Sequence, residues 1–440
     1  MKRYIQEATD INIWTSLKED TFGRNQDVKD FIDGLEQIEG NVYIGLDAKW
    51  GEGKTFFVRQ VEEVLKYFYA KNTETEEKPL KDIKSYEYLN NSDMIKNTEI
   101  KHLYLPIYYN AWMYDNHNDP LMSLLLIMLR QCGGSYNTKI NMESLKKQIL
   151  TIAFSLLSPL SQLDLVQIGK DIQNGKADIL MSVKTEEEIR RCVKDIFDEI
   201  IVERGEKLVI FVDELDRCKP SFAVAMLERI KHYFDDERIV FVVSLNKEQL
   251  VHTISNFYGE QFDATRYLNR FFDISIQLPE LSKYQKRKIQ CSNQGRYWIS
   301  IIADELSDYF RLSIRERLIY YGRIEAVSRD TLSRLYGEGM LLSVFVPILI
   351  LLDMIDMEEK NRFLEGKSLF LDNVMPNIKS YKKFVLRCFS KEEEKFEEAH
   401  EQLQDIYRYA FYDDNDEYYD RFDVSRDLKI LCVKMANGRK

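Results

Sequence analysis

The chain has 440 residues, of which 45% are hydrophobic and 31% charged, so it is long enough for about three globular modules. Its net charge of −11 disfavours a stand-alone nucleic-acid-binding protein, because such a surface would have to be basic. The six cysteines have no short paired spacing, which argues against a zinc site or a disulfide scaffold and favours a reducing cytoplasm.

The N-terminal region predicts an amphipathic helix before the first strand. The first seven residues lack the apolar core of a signal peptide. Further on, apolar side chains recur at the spacing of one helix face. These side chains are Val28, Phe31, Ile32, Leu35 and Ile38.

A glycine loop at residues 48–55, with the sequence AKWGEGKT, follows an apolar run and opens into a possible helix. This order is typical of a phosphate-binding loop, here with alanine where glycine is commoner. Gly51 and Gly53 allow the backbone N–H groups to turn towards phosphate oxygens, and the helix start adds partial positive charge. Lys54 is predicted to reach the β and γ phosphates of a nucleotide, and Thr55 to hold Mg²⁺. The alternative is a structural glycine turn.

Four apolar runs predict strands, and helical patterns separate them. The runs are residues 42–46, 102–109, 208–212 and 239–245. Alternating strands and helices predict an α/β fold with a doubly wound, mainly parallel sheet, whose ligands bind at the carboxyl ends of the strands. The predicted parts are an N-terminal core segment at 1–119, a helical insertion at 120–206, a second core segment at 207–283 and a helical lid with a C-terminal helical domain at 284–440.

Two apolar stretches are candidate membrane segments. Residues 341–352 are strongly apolar, but they number only a dozen and contain Pro347, so we expect a buried core helix. Residues 149–166 contain Pro159 and Asp164, which makes spanning costly. We therefore predict no transmembrane segment and a cytoplasmic protein, with surface attachment through the second stretch as the alternative.

The apolar run at 208–212 is followed directly by two acids. Asp213 is suited to holding the Mg²⁺ shell at the end of a buried strand. Glu214 can act as a general base or orient a water molecule near the γ phosphate. The alternative is that the two acids begin an ordinary surface loop.

At these residues the sequence resembles the KAP family of P-loop NTPases, in the STAND and AAA+-like division. Residues 213–218 (DELDRC) resemble its D-[DE]-L-D-R-C signature, and residues 50–55 match its W-G-x-G-K-[ST] loop. Residues 109–112 (YNAW) resemble its F-N-A-W motif, and residues 22–24 (FGR) resemble a segment near the adenine in related ATPases. The motifs occur in the expected order over about residues 15–325. The resemblance implies ATP and Mg²⁺ as cofactors, with Glu214 or Asp216 serving hydrolysis.

Two arginine sites extend the resemblance. Residues 266–273 are similar to an AAA+ stretch in which an arginine reaches the nucleotide of the neighbouring subunit, so Arg270, and less so Arg266, is a candidate finger and implies a homo-oligomer. A salt bridge that anchors the last strand is the alternative for Arg270. Arg315 resembles the second sensor of a helical lid, although the last arginine of that motif comes early, at Arg317.

Asn246 follows the strand at 239–245, where a polar side chain can sense the γ phosphate or merely form a turn. Trp50 and Trp112 can contact nucleotide, but aromatic side chains beside apolar strands favour the core. The predicted nucleotide-binding residues are Trp50, Gly51, Glu52, Gly53, Lys54, Thr55, Phe56 and Asn246.

The leading functional hypothesis is an ATP-hydrolysing switch that works with a separately encoded effector protein. The family resemblance implies bacterial antiphage defence as its setting. A nucleotide-gated interaction scaffold with negligible turnover is the alternative, and Glu214 argues against it. ATP-driven nucleic-acid remodelling is a weaker hypothesis, because the net charge is acidic.

Overall fold

The computed structural model describes most of the chain in several ranges. These are residues 7–73, 88–90, 92–117, 119–135, 148–149, 152, 186–202, 205–279, 298–328, 338–390, 392–412 and 427–437. The chain divides into two compact units, with the sequence boundary between residues 281 and 282. Most of the predicted insertion and of the apolar stretch 149–166 lies outside the described residues. The four-part domain division stays a prediction.

A five-stranded sheet forms the centre of the first unit. Its strands are β1 (Val42–Asp47), β2 (Tyr104–Asn110), β3 (Lys207–Asp213), β4 (Ile239–Leu245) and β5 (Ile274–Gln277). All four neighbouring pairs are parallel, in the order β2-β3-β4-β1-β5. The four predicted strands are therefore confirmed, and the carboxyl ends of β1, β3 and β4 lie at the same edge of the sheet.

Helices cover both faces of this sheet. They are α1 (Asp10–Glu19), α2 (Asn25–Glu36), α3 (Lys54–Asn72), α4 (Asp93–Lys96), α5 (Pro120–Ser135), α6 (Glu186–Val202), α7 (Pro220–Tyr233), α8 (Lys247–Tyr258) and α9 (Ala264–Leu268). Short 3₁₀ helices follow β2 (Ala111–Tyr114) and β3 (Leu215–Arg217).

The alternation of side chains along β3 shows why the sheet needs two helical layers. Val209 and Phe211 pack in the core that contains α1, α2 and α3. Leu208, Ile210 and Val212 pack in a separate core with α5, α6 and α7. A strand that is apolar on both faces is stable only when both faces are covered, so the predicted doubly wound α/β fold is confirmed.

The second unit is helical throughout its described residues. Its helices are α10 (Trp298–Tyr309), α11 (Ile314–Ser328), α12 (Glu338–Ile355), α13 (Met357–Leu364), α14 (Phe370–Asn373), α15 (Lys379–Phe389), α16 (Phe396–Phe411) and α17 (Asp427–Ala436), with 3₁₀ turns at Met375–Asn377 and Glu393–Lys395. The apolar residues of α12 between Leu341 and Leu352 are buried in this unit's core, which confirms the predicted core helix at 341–352. In the described part of the chain, none of the helices combines the length and apolarity that crossing a bilayer requires.

Candidate functional site

The glycine loop connects the carboxyl end of β1 to the first residue of α3, Lys54. Gly51 and Gly53 have φ angles of +84° and +85°, a region that glycine enters without steric cost. The Ala48 N–H donates a hydrogen bond to the carbonyl of Leu245, 3.2 Å away, which ties the loop to the end of β4. The loop therefore has the left-handed glycine turns that a phosphate cradle requires.

Lys54 lies inside this loop and is largely buried. Its Nζ donates hydrogen bonds to the carbonyls of Ala48 (2.6 Å) and Lys49 (3.3 Å). Burial lowers the pKa of the Lys54 ammonium, and the nearby carboxylates of Asp216 and Asp213 act in the opposite direction. The amine is therefore placed between the loop and the acids that follow β3, where it can meet an incoming phosphate.

Asp213 is the last residue of β3, and its side chain is only 1% exposed. The Tyr108 hydroxyl donates a hydrogen bond to Oδ2 over 3.0 Å. The other carboxylate oxygen, Oδ1, is buried and has no hydrogen-bond partner among the described residues. Mg²⁺ is usually held through one or two carboxylates together with substrate phosphates. A buried and unsatisfied carboxylate oxygen beside a phosphate loop therefore fits the Mg²⁺ that such a loop implies.

Glu214 turns away from the strand direction immediately after Asp213. Its φ of +60° is uncommon for a residue with a side chain. The carboxylate accepts a hydrogen bond from the Asn110 side-chain amide (3.2 Å) and pairs with the Arg217 guanidinium (2.8 Å). Burial raises the pKa of the Glu214 carboxyl, and Arg217 acts in the opposite direction. A raised pKa suits a carboxylate for proton transfer near neutral pH.

Asp216 is buried, and its carboxylate accepts a hydrogen bond from the indole N–H of Trp50. This bond joins the glycine loop to the 3₁₀ turn after β3. Trp50 and Trp112 are 51% and 50% exposed, so the interpretation of these two residues as core is wrong. Each instead has a polar or charged partner at the site, since the Arg217 guanidinium lies 5.5 Å from the Trp112 ring centroid.

Asn246 lies at the carboxyl end of β4 and is buried. Its side-chain oxygen accepts a hydrogen bond from the Gln249 N–H (3.3 Å), and it caps α8. Asp47, at the end of β1, accepts a hydrogen bond from the Lys247 N–H (2.9 Å). The local geometry therefore includes the turn-forming role of Asn246, while its side-chain amide group lies at the same sheet edge as the loop.

The N-terminal segment packs beside the loop helix. The Phe22 ring meets the Phe56 ring edge-on, with the centroids 5.3 Å apart. The Arg24 side chain is 3% exposed, and its Nη1 donates hydrogen bonds to Asp27 and to the Pro279 carbonyl, both at 3.0 Å. Burial lowers the pKa of the Arg24 guanidinium. These contacts join the segment at 22–24 to Pro279, two residues after β5 ends.

The two predicted arginines, Arg270 and Arg315, are not among the described residues of the first unit that contact this site. Arg270 is exposed and precedes β5, which runs parallel to β1, so it lies at the amino edge of the sheet, opposite the loop. The anchor of β5 is Asp273, whose carboxylate accepts the Tyr43 N–H (2.9 Å) and pairs with Lys231 (3.4 Å). Among the described residues Arg270 forms no ion pair, so the alternative role of anchoring the last strand falls to Asp273.

Arg315 belongs to the second unit, where it is exposed at the start of α11. Its neighbour Arg317 is buried and has a structural role. The Arg317 guanidinium donates to the carbonyls of Leu312 (2.9 Å) and Ser307 (3.0 Å) and pairs with Asp308 (2.8 Å). The early position of the second arginine in the motif is therefore explained by local packing of this helix.

Three residues of the site were not predicted: Tyr108, Asn110 and Arg217. Asn110 and Arg217 belong to sequence motifs that the resemblance had identified, so their positions carried a signal. Tyr108 carried none, because its contact with Asp213 depends on the pairing of β2 with β3, in which Asn110 lies opposite Asp213.

The sequence comparisons agree with this geometry. The family model described as "KAP family P-loop domain" matches residues 27–311, which is well over half of the chain. An uncharacterized protein of Methanocaldococcus jannaschii is 33% identical over 69 residues, a match that covers 16% of this chain and 34% of that protein. This match therefore spans about a third of the relative's length.

Two solved structures show similarity at low sequence identity. The ORC2 protein of Aeropyrum pernix aligns with 11% identity and a TM-score of 0.29, over 88% of this chain and 93% of that one. PCH-2 of C. elegans aligns with 10% identity and a TM-score of 0.20, over 90% of this chain and 70% of that one.

Proposed function

Because this chain belongs to the KAP family of P-loop NTPases, we propose that it binds ATP with Mg²⁺ and hydrolyses it as a molecular switch. One observation carries the proposal. Lys54 lies near the Asp213 and Asp216 carboxylates at the carboxyl edge of the parallel sheet, Glu214 directly follows Asp213, and Asp213 has a buried oxygen without a partner among the described residues. Ligands of doubly wound sheets bind at this edge.

In the proposed phosphoryl transfer to water, some of these residues bind the nucleotide and the metal, and Glu214 activates the water. The loop N–H groups and Lys54 hold the β and γ phosphates, which replace the loop carbonyls as partners of the Lys54 amine. Thr55 and Asp213 would hold Mg²⁺, which neutralises negative charge on the phosphates. Glu214 takes a proton from, or orients, the attacking water, and its raised pKa improves it as a base.

A phosphate-release assay with matched variants tests the proposal. We expect wild type to release phosphate from ATP, and K54A to lose ATP binding. E214Q should keep ATP binding and lower the turnover number at least about 100-fold, because it removes the base. D216N should lower it less, since Asp216 already accepts the Trp50 indole N–H. Intact ATP binding by wild type with no phosphate release would instead favour the interaction scaffold.

The assembly, partners and setting are further parts of the proposal. Arg270 is exposed and lies at the sheet edge opposite the glycine loop of its own chain. This position supports a role in the site of a neighbouring subunit and hence a homo-oligomer. The mass of E214Q with ATP and Mg²⁺ in solution tests assembly, and a monomer under all conditions would contradict it. A separately encoded effector and a cytoplasmic antiphage role rest on the family resemblance, and a phage plaque assay with K54A as the control tests that role.

A further inference from the structure

Tyr108 is held in one position from three directions. Its backbone N–H donates to the Gln131 side-chain oxygen (3.1 Å), and its carbonyl accepts from the Gln131 amide (2.6 Å). This pairing satisfies the outward backbone N–H and carbonyl of Tyr108 on β2, which is an edge strand of the described sheet. The Arg59 guanidinium lies over the Tyr108 ring, 4.8 Å from its centroid. The third contact is the hydrogen bond from the hydroxyl to Asp213.

Arg59 is itself fixed, so it forms a rigid support for the ring. It pairs with Asp10 of α1 (2.7 Å) and with Glu62 and Glu63 on its own helix. Its side chain is 14% exposed, and a partly desolvated guanidinium over an aromatic face is a favourable contact. A chain of contacts therefore runs from α1 through α3 to the hydroxyl that meets Asp213.

The Tyr108 hydroxyl donates its hydrogen bond to only one of the two oxygens of the Asp213 carboxylate, over 3.0 Å. It occupies Oδ2 of Asp213 and leaves the buried Oδ1 without a partner among the described residues.

We infer that Tyr108 is a positioning residue for Asp213, the proposed metal-binding aspartate. Tyr108 holds one carboxylate oxygen of Asp213 so that the other oxygen is presented to Mg²⁺. The inference rests on the proposed function. Groups that hydrogen-bond to a metal ligand fix its orientation, and their loss typically weakens metal affinity about 10- to 100-fold. The aspartate would otherwise be free to rotate and to share both oxygens with other donors.

The chain offers a closely matched control in the next residue. Tyr109 is fully buried on the opposite face of β2, and its hydroxyl shares a hydrogen bond with Ser123 (2.6 Å). Y108F and Y109F each delete one hydroxyl from adjacent positions of one strand. Only the first deletion removes a contact with Asp213.

The test is a magnesium titration of fluorescent ATP-analogue binding to the full chain. We expect Y108F to raise the Mg²⁺ concentration for half-maximal binding about 10-fold, with metal-free binding unchanged, and Y109F to leave it at the wild-type value. An unchanged Mg²⁺ requirement in Y108F, or equal shifts in both variants, would overturn the inference alone. Metal-independent binding by wild type would overturn the metal role of Asp213 as well.

A second comparison covers the case in which Y108F folds poorly because a buried carboxylate loses its donor. D213N removes that charge, so Y108F/D213N is compared with D213N. If Tyr108 acts through Asp213, the two have the same Mg²⁺ requirement. A further increase in the double variant would show that the hydroxyl acts elsewhere and would overturn the inference.

Discussion

Two adjacent acids at the end of β3 have different environments, and this difference suits them to different proposed roles. Asp213 ends β3 with one oxygen bound by Tyr108. Glu214 has a positive φ and interacts instead with Asn110 and Arg217. Because burial raises the pKa of Glu214 while Arg217 opposes the rise, the charge on Arg217 controls how readily Glu214 ionises. These different partners fit the proposed role of Asp213 in binding the metal and of Glu214 in proton transfer.

The first prediction concerns the pH dependence of hydrolysis in R217Q. Removing the guanidinium raises the pKa of Glu214 further, so its ionised, basic form prevails only at higher pH. In a plot of turnover number against pH, the decline on the acidic side should therefore occur at a higher pH than in wild type. R229Q is the control, because Arg229 pairs with Asp119 and its side chain is similarly exposed, 31% against 33% for Arg217. The same pH dependence of the turnover number in wild type, R217Q and R229Q would contradict the role of Glu214 as base.

At the scale of the element, β1 is packed too tightly for a side chain at Gly45. A Cβ built at this position would lie 3.0 Å from Cγ of Phe272 and 3.2 Å from two further ring carbons. Phe272 is itself buried beside the start of β5, so the ring has little room to move. The glycine thus permits the close approach that brings β1 and its phosphate loop beside β5.

The second prediction compares two glycine substitutions. G45A should lower the free energy of unfolding by about 1–3 kcal/mol, because overpacking a dense core forces strain. G34A should raise it by about 0.5–1 kcal/mol, because Gly34 lies inside α2 with nothing within 4 Å of an added Cβ. Urea titrations of both variants measure the two effects. A neutral G45A would show that Phe272 can move away at little cost.

At the scale of the whole molecule, the parallel sheet separates two parts of the proposed chemistry. The phosphate loop follows the carboxyl end of β1, whereas Arg270 precedes the amino end of β5 beside it. An arginine at the far edge cannot serve the nucleotide of its own sheet, so its proposed role requires a second copy of the chain. An arginine supplied by a neighbour typically accelerates phosphoryl transfer about 10³- to 10⁵-fold.

The third prediction is complementation between two inactive variants. R270A keeps its nucleotide site but lacks the finger, and K54A keeps the finger but cannot hold the phosphates. Each alone should release almost no phosphate, while a mixture should recover part of the wild-type rate. R266A should lose less activity than R270A. A mixture no more active than its components, or a fully active R270A, would contradict the role in a neighbouring subunit.

The amino-acid pattern predicts the fold class, which the structure confirms, and it names most residues of the proposed nucleotide site. Lys54 ends a glycine loop that follows β1, and the two acids stand at the end of β3, so the local pattern predicts Lys54, Asp213 and Glu214. The apolar pattern does not predict β5, because its four residues are mostly exposed and form no long apolar run. Trp50 and Trp112 are exposed although their apolar neighbours in sequence favour the core, because such neighbours do not determine on which side of a turn a side chain lies.

The side chains that contact those residues follow from the assembled sheet and not from local sequence. Tyr108 meets Asp213 because the parallel register of β2 and β3 brings their ends together across more than 100 residues of chain. Strand direction likewise places Arg270 at the edge opposite the loop, which no spacing in the sequence indicates. Chemistry at a strand end is a local property, whereas contacts between strands depend on register and direction, which arise only when the sheet assembles.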